Sequence, residues 1–439
     1  MGRKILSIVL VLAMLTLCGC DQLAGAKTSL NNFIKTIDGE PLEEEMGEDT
    51  IKIGVLEPQS GKYVNDAAEE LKGIKLANKM FPTVLDKKVE LVYADSQSDP
   101  KLVPDCAQAL IDSGCKIILG SYNNVLTMAA CDILEENEIV CICPSCTNPL
   151  ITTTTRYFFR VAVVEAFQGN SAAKYVIEHL PREIHDNVQI TETVDNVEGK
   201  NEDITDSVKC LVLKKAGDDK ASALIERFQA KMEEQFGDNG YARVIEYPAN
   251  AEDMTPFFER LKEAGAEVVF FPSSAVDGEK VLFEAYSERY DFTWVGDSDW
   301  SGLQLAAEEA LRENQNHLEG VAFVAAFDKQ SAATNMTTTF LSSAQAYYGE
   351  ATPSENMALG FDAYILALKG ITDAGSVENG EKLRLAINKF YEVECATGKI
   401  TYRAGNGDPV KDVVIEKIQD GQIKADYTAV PVWEVKGSK

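Results

Sequence analysis

The sequence predicts an α/β protein of two lobes, each built on a parallel sheet. Short apolar runs rich in β-branched residues alternate with amphipathic stretches of helical period. The alternation begins near residue 50, breaks after about 180 and restarts at 209 with the same plan. At 439 residues, 45% of them hydrophobic, the chain is long enough to bury two cores.

Residues 1–19 stand apart from that pattern. Arg3 and Lys4 form a basic start, and Ile5 to Leu17 is an apolar run short for a membrane span. "LCGC" follows, with Cys20 placed as the acceptor of a lipid anchor; an ordinary secretory signal is the alternative. Residues 20–49 are polar and acidic and read as a tether. Without residues 1–19 the chain has 40 basic against 70 acidic residues, a formal charge of −30. That balance disfavours nucleic acid and anionic lipid as partners. The membrane is expected to be met through the lipid anchor alone.

The first lobe opens with the strand "IKIGVLEP". The strands "VELVYAD", "CKIILGS" and "EIVCICP" follow, with "NDAAEELKGIKLANKMF", "KLVPDCAQALIDSG" and "NVLTMAACDILEEN" as helices between them. In the first helix Leu71, Ile74, Ala77 and Met80 share a face. In the second lobe the strands are "KCLVLKKAG", "ARVIEYPA", "AEVVFFPSS" and "FTWVGDSDW", separated by "ASALIERFQAKMEEQFG", "MTPFFERLKEAG" and "EKVLFEAYSERY". Residues 182–208 are polar, acidic and aperiodic, and read as a surface insertion.

These residues carry a resemblance. "IKIGVLEPQSG", "KGIKLA", "YADSQSDP", "ILGSYNNVLTMAACDI", "CPSCTNPLI" and "FFRVAVVEAFQGNSAAKYV" resemble segments of the leucine/isoleucine/valine-binding-protein family, over roughly residues 51–430. The resemblance implies the type I periplasmic binding protein fold: two Rossmann-like lobes with parallel central sheets, joined by a three-strand hinge. It implies passages between the lobes near Val163–Glu165, Ala325–Phe327 and Ala396–Gly398. Lobe one is then 50–164 plus 328–395, and lobe two 165–325 plus 397–439. The implied partners are a small-molecule ligand, gripped by clamshell closure, and an ABC permease.

Site residues follow from the same comparison. Parallel strands collect their loops, and the positive ends of following helices, at their carboxyl ends. In lobe one those loops are small and polar, which suits an amino-acid carboxylate. Asn124 stands where the family offers a hydroxyl to that carboxylate, and Ser145 and Thr147 stand in the next loop. Thr147 reads either as a ligand contact or as a turn-stabilising threonine before Asn148-Pro149. Asp66 occupies the position of a covering aromatic, with Tyr63 nearby as a substitute; Asp66 reads equally as a helix N-cap. In lobe two the family's carboxylate for the ligand ammonium aligns with Ser298, flanked by Asp297 and Asp299, with Asp299 the preferred acid. Asp218 and Asp219, and the turn at Ser273 and Ser274, complete the set. Each acid is equally well read as a solvated loop charge. Together they tilt the expected ligand toward a polar or cationic amino acid, or another small amine.

Enzymatic readings find little support. The three histidines, His179, His185 and His317, lie outside the expected cleft loops, and no Gly-rich phosphate loop is present. No cofactor and no metal are expected, since Cys141, Cys143 and Cys146 would need a distant fourth ligand. Cys106 and Cys131 are plausible disulfide partners, whereas Cys141 and Cys143 suit a buried strand as small apolar residues. The expected function is a lipid-anchored solute receptor for an importer. A sensor lipoprotein and a hydrolase on the same scaffold are the alternatives.

Overall fold

The computed structural model describes residues 50–181, 208–237, 241–325, 327, 333–350, 353–402 and 407–429. The predicted signal with Cys20, the tether, His185 and nearly all of the 182–208 insertion lie outside the described residues. Among the described residues no helix is long and apolar enough to cross a membrane.

Lobe one is built on strands β1 (Thr50–Leu56), β2 (Thr83–Val84), β3 (Lys87–Ala94), β4 (Ile117–Gly120), β5 (Val140–Cys143) and β6 (Phe158–Arg160). Their order is β2-β3-β1-β4-β5-β6, parallel except for the short β2. Both faces are covered, so central strands read as unbroken apolar runs rather than alternating ones. The pleat still sorts them. Ile117 and Leu119 enter one core, and Ile118 the other. Helices α1 (Val64–Met80), α2 (Val103–Asp112), α3 (Asn124–Glu136) and α4 (Leu150–Thr154) connect the strands. Gly73 of α1 lets a later helix approach closely, since a β-carbon there would stand 1.9 Å from the Met357 carbonyl oxygen.

Lobe two follows α5 (Glu165–Glu178). Its strands are β7 (Cys210–Lys215), β8 (Val244–Tyr247), β9 (Val268–Phe270), β10 (Thr293–Gly296) and β11 (Ala322–Ala325), all parallel. Helices α6 (Asp219–Phe236), α7 (Thr255–Glu263), α8 (Ala275–Ser287) and α9 (Gln304–Arg312) link them. The chain then returns to lobe one for α10 (Asn335–Tyr348), α11 (Glu355–Ala374) and α12 (Gly380–Ile387), and for a small antiparallel sheet of β12 (Val393–Cys395), β13 (Gly398–Tyr402) and β14 (Pro409–Val410). Finally β15 (Val413–Gln419) and β16 (Gln422–Ala429) join lobe two antiparallel, giving the order β16-β15-β11-β10-β9-β7-β8. The second sheet is therefore mixed, where the sequence predicted parallel strands.

Core membership changes three times along the chain. Val161 and Ala162 pack in lobe one and Val163 in lobe two; Ala325 packs in lobe two and Phe327 in lobe one. Residues 393–402, which the sequence reading divided at Ala396–Gly398, contribute Val393, Cys395, Ala396, Ile400 and Tyr402 to the lobe-one core, and Val413 is the next residue to enter a lobe-two core. A buried polar chain braces this third passage. Asp362 of α11 accepts from the Ala396 and Thr397 amides and the Thr397 hydroxyl, and Lys411 donates to that hydroxyl at 2.7 Å. Burial raises Asp362 to about 6, against the pull of Thr397 and Lys411.

Candidate functional site

In each sheet the chain runs outward from one strand, then crosses back over it. In lobe one the step from β3 to β4 crosses β1; in lobe two the step from β8 to β9 crosses β7. Crevices open at such switch points, at the carboxyl ends of the strands. They place Glu57 to Tyr63 beside Ser121 to Asn124 in lobe one. In lobe two they place Ala216 to Lys220 beside Ser273 and Ser274.

The loop after β5, "PSCTNP", is held from both sides. The Asn124 side-chain oxygen accepts the amides of Thr147 (2.7 Å) and Asn148 (2.9 Å), and its nitrogen donates to the Thr147 hydroxyl at 3.3 Å. Arg160, at the end of β6 and wholly buried, takes the opposite polarity: its guanidinium donates to the carbonyls of Cys146 (3.3 Å) and Asn148 (2.9 Å) and to the Thr152 hydroxyl (2.8 Å). Its charge is balanced by Asp408 at 2.8 Å, which also accepts from Thr152. Asn124 thus holds the loop's donors and Arg160 its acceptors. Asn124, read from the sequence as a ligand contact, hydrogen-bonds this loop through both its oxygen and its nitrogen. Thr147 meets Asn124 through both hydroxyl and amide. The buried hydroxyls of Ser145 and Ser121 make no hydrogen bond within the described residues, and sit on the loops of adjacent strands.

Asn123, at φ 64°, caps α3 by accepting the Val125 and Leu126 amides. Helix α1 starts at Val64 with Tyr63 in the cap position, so Asp66 lies inside the first turn and is not the N-cap. The Asp66 side chain lies outside the described residues. Tyr63 packs against Tyr122, with ring centroids 5.9 Å apart, and Lys62 lies over its ring. Tyr122 is an aromatic of this loop pair that sequence reasoning passed over. So is Glu57, fully buried beneath it, whose carboxylate accepts the Tyr122 amide at 2.8 Å. Burial, then the neighbouring buried Glu70, push Glu57 well above the usual carboxylate range. An acid closing the apolar run "IGVLE" was the signal available for it.

The cysteines among the described residues are free thiols. Cys106 donates to the Asp95 carbonyl and Cys131 to the Thr127 carbonyl, so the disulfide suggested for that pair does not form. Cys141, Cys143 and Cys146 are buried, and burial pushes all three thiols up, which leaves them protonated and poor nucleophiles. Among the described residues no group of His, Cys, Asp or Glu is arranged to hold a metal ion. His179 stacks on Tyr175 and pairs with Asp426, and His317 packs edge-on against Phe283.

Lobe two is charged and internally paired. Lys220, in the first turn of α6, reaches Asp299 at 2.7 Å and Asp297 at 3.2 Å. Asp297 also caps the short 3-10 helix Ser298–Leu303 by accepting the Asp299 amide, and is 2% exposed. Burial pushes Asp297 above the usual carboxylate range, and Lys220 offsets only part of it. Burial pulls the Lys220 ammonium down, but the two carboxylates outweigh it and the net change is upward. Trp300 fixes this turn: a β-carbon on Gly296 would overlap its ring at 2.1 Å, and its indole donates to Ser273. Ser298, half-buried, opens the 3-10 helix. Ser274 caps α8 and donates to Asp277, which pairs with Lys215 at 2.9 Å. Asp218 caps α6 through the Ala221 amide. Lys215 and Lys220 were both missed, although they stand in the same "KKAGDDK" turn as the acids that drew notice.

Residues 50–422 match the sequence profile of a family described as periplasmic binding protein. Leu/Ile/Val-binding protein homolog 3 of Brucella melitensis is 23% identical over 387 residues, which is 85% of this chain and 92% of that protein. A branched-chain amino acid transporter substrate-binding protein from Streptococcus pneumoniae, solved in complex with isoleucine, superposes with a TM-score of 0.67 at 21% identity, over 87% of this chain and all (100%) of that one. An ABC-transporter solute-binding protein from Rhodopseudomonas palustris, solved in complex with 3,4-dihydroxy benzoic acid, gives 0.65 at 20% identity, over 88% and 99%. These two structures share the fold.

Proposed function

The chain belongs to the periplasmic binding protein family, and from that premise we propose that it captures a small carboxylate, an amino acid or a close relative of one, and delivers it unchanged to an ABC permease. The two lobes close on the solute about the three chain passages. In this reading a lipid on Cys20 anchors the protein outside the cell membrane, and residues 20–49 tether it. The observation that carries the reading is the frame around "PSCTNP". A loop held at its donors by Asn124 and at its acceptors by buried Arg160 presents hydroxyls at the lobe-one switch point. Ser145 and Thr147 are the residues that hold the carboxylate, and Tyr63 covers it. Isoleucine and dihydroxybenzoic acid, held by the two structural relatives, both carry a carboxylate.

The test is a thermal-shift screen of amino acids and small carboxylates on the full-length chain in detergent micelles. A compound that raises the melting temperature of the native protein is expected to lose that effect in Thr147→Val. An undiminished shift in the variant overturns the assignment of Thr147. Delivery is read separately, as loss of uptake of that compound in a strain lacking the protein.

A further inference from the structure

Lobe two carries a cavity that the proposed function does not use. Its volume is about 250 Å³, and it lies at the amino ends of β10 and β11, where Thr293 and Val321 line it. That is the opposite end of the sheet from the switch-point crevice. Its walls are aromatic: Tyr286, Tyr290, Phe292 and Trp294 all line it. The rings brace one another, with Tyr290 stacked on Phe292 at 5.8 Å and Phe292 edge-on to Trp294 at 5.7 Å. Only 8% of the chain is Phe, Trp or Tyr, so four such rings in a lining of 13 residues are a concentration. Tyr286 is 46% exposed, a large ring left beside the cavity rather than turned into the core.

The charge around these rings is negative on balance. Asp291 and Glu319 supply two carboxylates, and Lys417, 6% exposed, supplies one ammonium. Both oxygens of Glu319 accept the Asp420 amide, whereas Asp291 is exposed and makes no hydrogen bond or ion pair among the described residues. Burial lowers the pKa of His317, which also lines the cavity, so at neutral pH it adds no net positive charge there. Aromatic faces attract a cation through their quadrupole and need no hydrogen bond to do so. A carboxylate would meet the same faces and both acids unfavourably. We infer that this cavity is a second binding site, for a small organic ammonium: the rings take its alkyl or aryl part and Asp291 its charge. The volume lies below the roughly 300–1,000 Å³ of drug-sized sites, which keeps the ligand small. The inference is independent of what the cleft holds.

The experiment is isothermal titration of the full-length chain, in detergent micelles, with choline, tetramethylammonium and 3,3-dimethylbutanol, the neutral isostere of choline. Choline is expected to bind about tenfold or more tighter than dimethylbutanol, because only the charged probe gains from the rings and from Asp291. Asp291→Asn and Tyr286→Ala remove exposed side chains, so both variants should fold, and each is expected to weaken choline about fivefold or more. Thr147→Val, in the lobe-one loop, is expected to leave choline binding as it is. Failure of both ammonium probes to bind overturns the proposal, as does equal affinity for dimethylbutanol. Choline binding that survives both Asp291→Asn and Tyr286→Ala also overturns it. So does choline binding lost in Thr147→Val, which would move the ammonium to the cleft.

Discussion

Lobe one buries its cation and lobe two displays its cations. Arg160 lies under the lobe-one loops, its donors turned to backbone carbonyls and to Thr152. Lys215 and Lys220 stand half-exposed among the lobe-two loops, each against a carboxylate. The two sheets share the same switch-point topology at their strand ends, so the difference lies in the loops. A buried charge fixes geometry because leaving it unpaired is costly; a half-exposed one sets potential and exchanges partners cheaply. In the proposed function lobe one is the rigid frame, and the exposed charges of lobe two are the ones that tune its electrostatics.

The strongest way to break that contrast is Arg160→Met. It takes the cation from Asp408 and leaves the Cys146 and Asn148 carbonyls without their guanidinium donor. Removing one partner of a buried ion pair costs about 3–5 kcal/mol. A guanidinium denaturation curve should show a loss of that size. A change under ~1 kcal/mol would mean that the loop holds itself without Arg160.

Asn124→Ala comes next. Two loop amides lose their acceptor, for about 1–3 kcal/mol in the same measurement. Asn124→Asp keeps the acceptor oxygens, so it should recover most of that stability. It also brings a negative charge to the loop, so carboxylate binding should weaken in titration although the fold is restored. Parallel losses of stability and binding in both variants would sink the division between frame and solute contact.

Much of this contrast was invisible in the sequence, for a physical reason. Period and turn residues are local signals, and they located β1, β3 to β5 and β7 to β10 with α1 to α3 and α6 to α8, but none of the elements from α9 onward. The passages near Val163–Glu165, Ala325–Phe327 and Ala396–Gly398 came from the family resemblance, whereas the packing changes between Ala162 and Val163 and between Ala325 and Phe327. The partners of Arg160 and Lys220 are not local: Asp408 and Asp297 meet them only through the folded sheets. A lone arginine in "YFFRVAVV" did announce a buried charge in need of partners, but could not name them. The adjacent pair Asn123 and Asn124 shows the limit from another side. Both suit a helix cap; the φ of 64° at Asn123 decides which one caps and which one turns to the loop.

Glu57 sharpens the contrast through pH. Burial and Glu70 raise its folded pKa above the unfolded value, so the folded state holds the proton more tightly. The stabilisation is complete below about pH 4.5, the unfolded value, and is lost as pH rises through the folded value. Glu57→Gln removes the titration and keeps an acceptor for the Tyr122 amide. Its melting temperature should fall less than that of the native protein between pH 5 and pH 8. If the relief is worth about 1 kcal/mol, the variant gains roughly 2–4 °C at pH 8. Identical pH slopes would show that Glu57 is not the group whose proton matters.

The smallest effect is expected where the lobe-two face is most exposed. Lys215 and Asp277 are 28% and 35% exposed, and their pair lies where water and salt screen it. Lys215→Met should change stability by less than about 1 kcal/mol. Its influence should appear in binding, because the cleft loses a positive charge near the switch point and keeps Asp277. The affinity of any carboxylate ligand should fall, and should become less sensitive to salt between 50 and 500 mM, a range over which screening lengths shorten several-fold. Arg160→Met, by contrast, should show its loss of stability at any salt concentration, because the group it removes is buried. A Lys215→Met protein as destabilised as Arg160→Met would make lobe two a frame as well, and erase the distinction between the lobes.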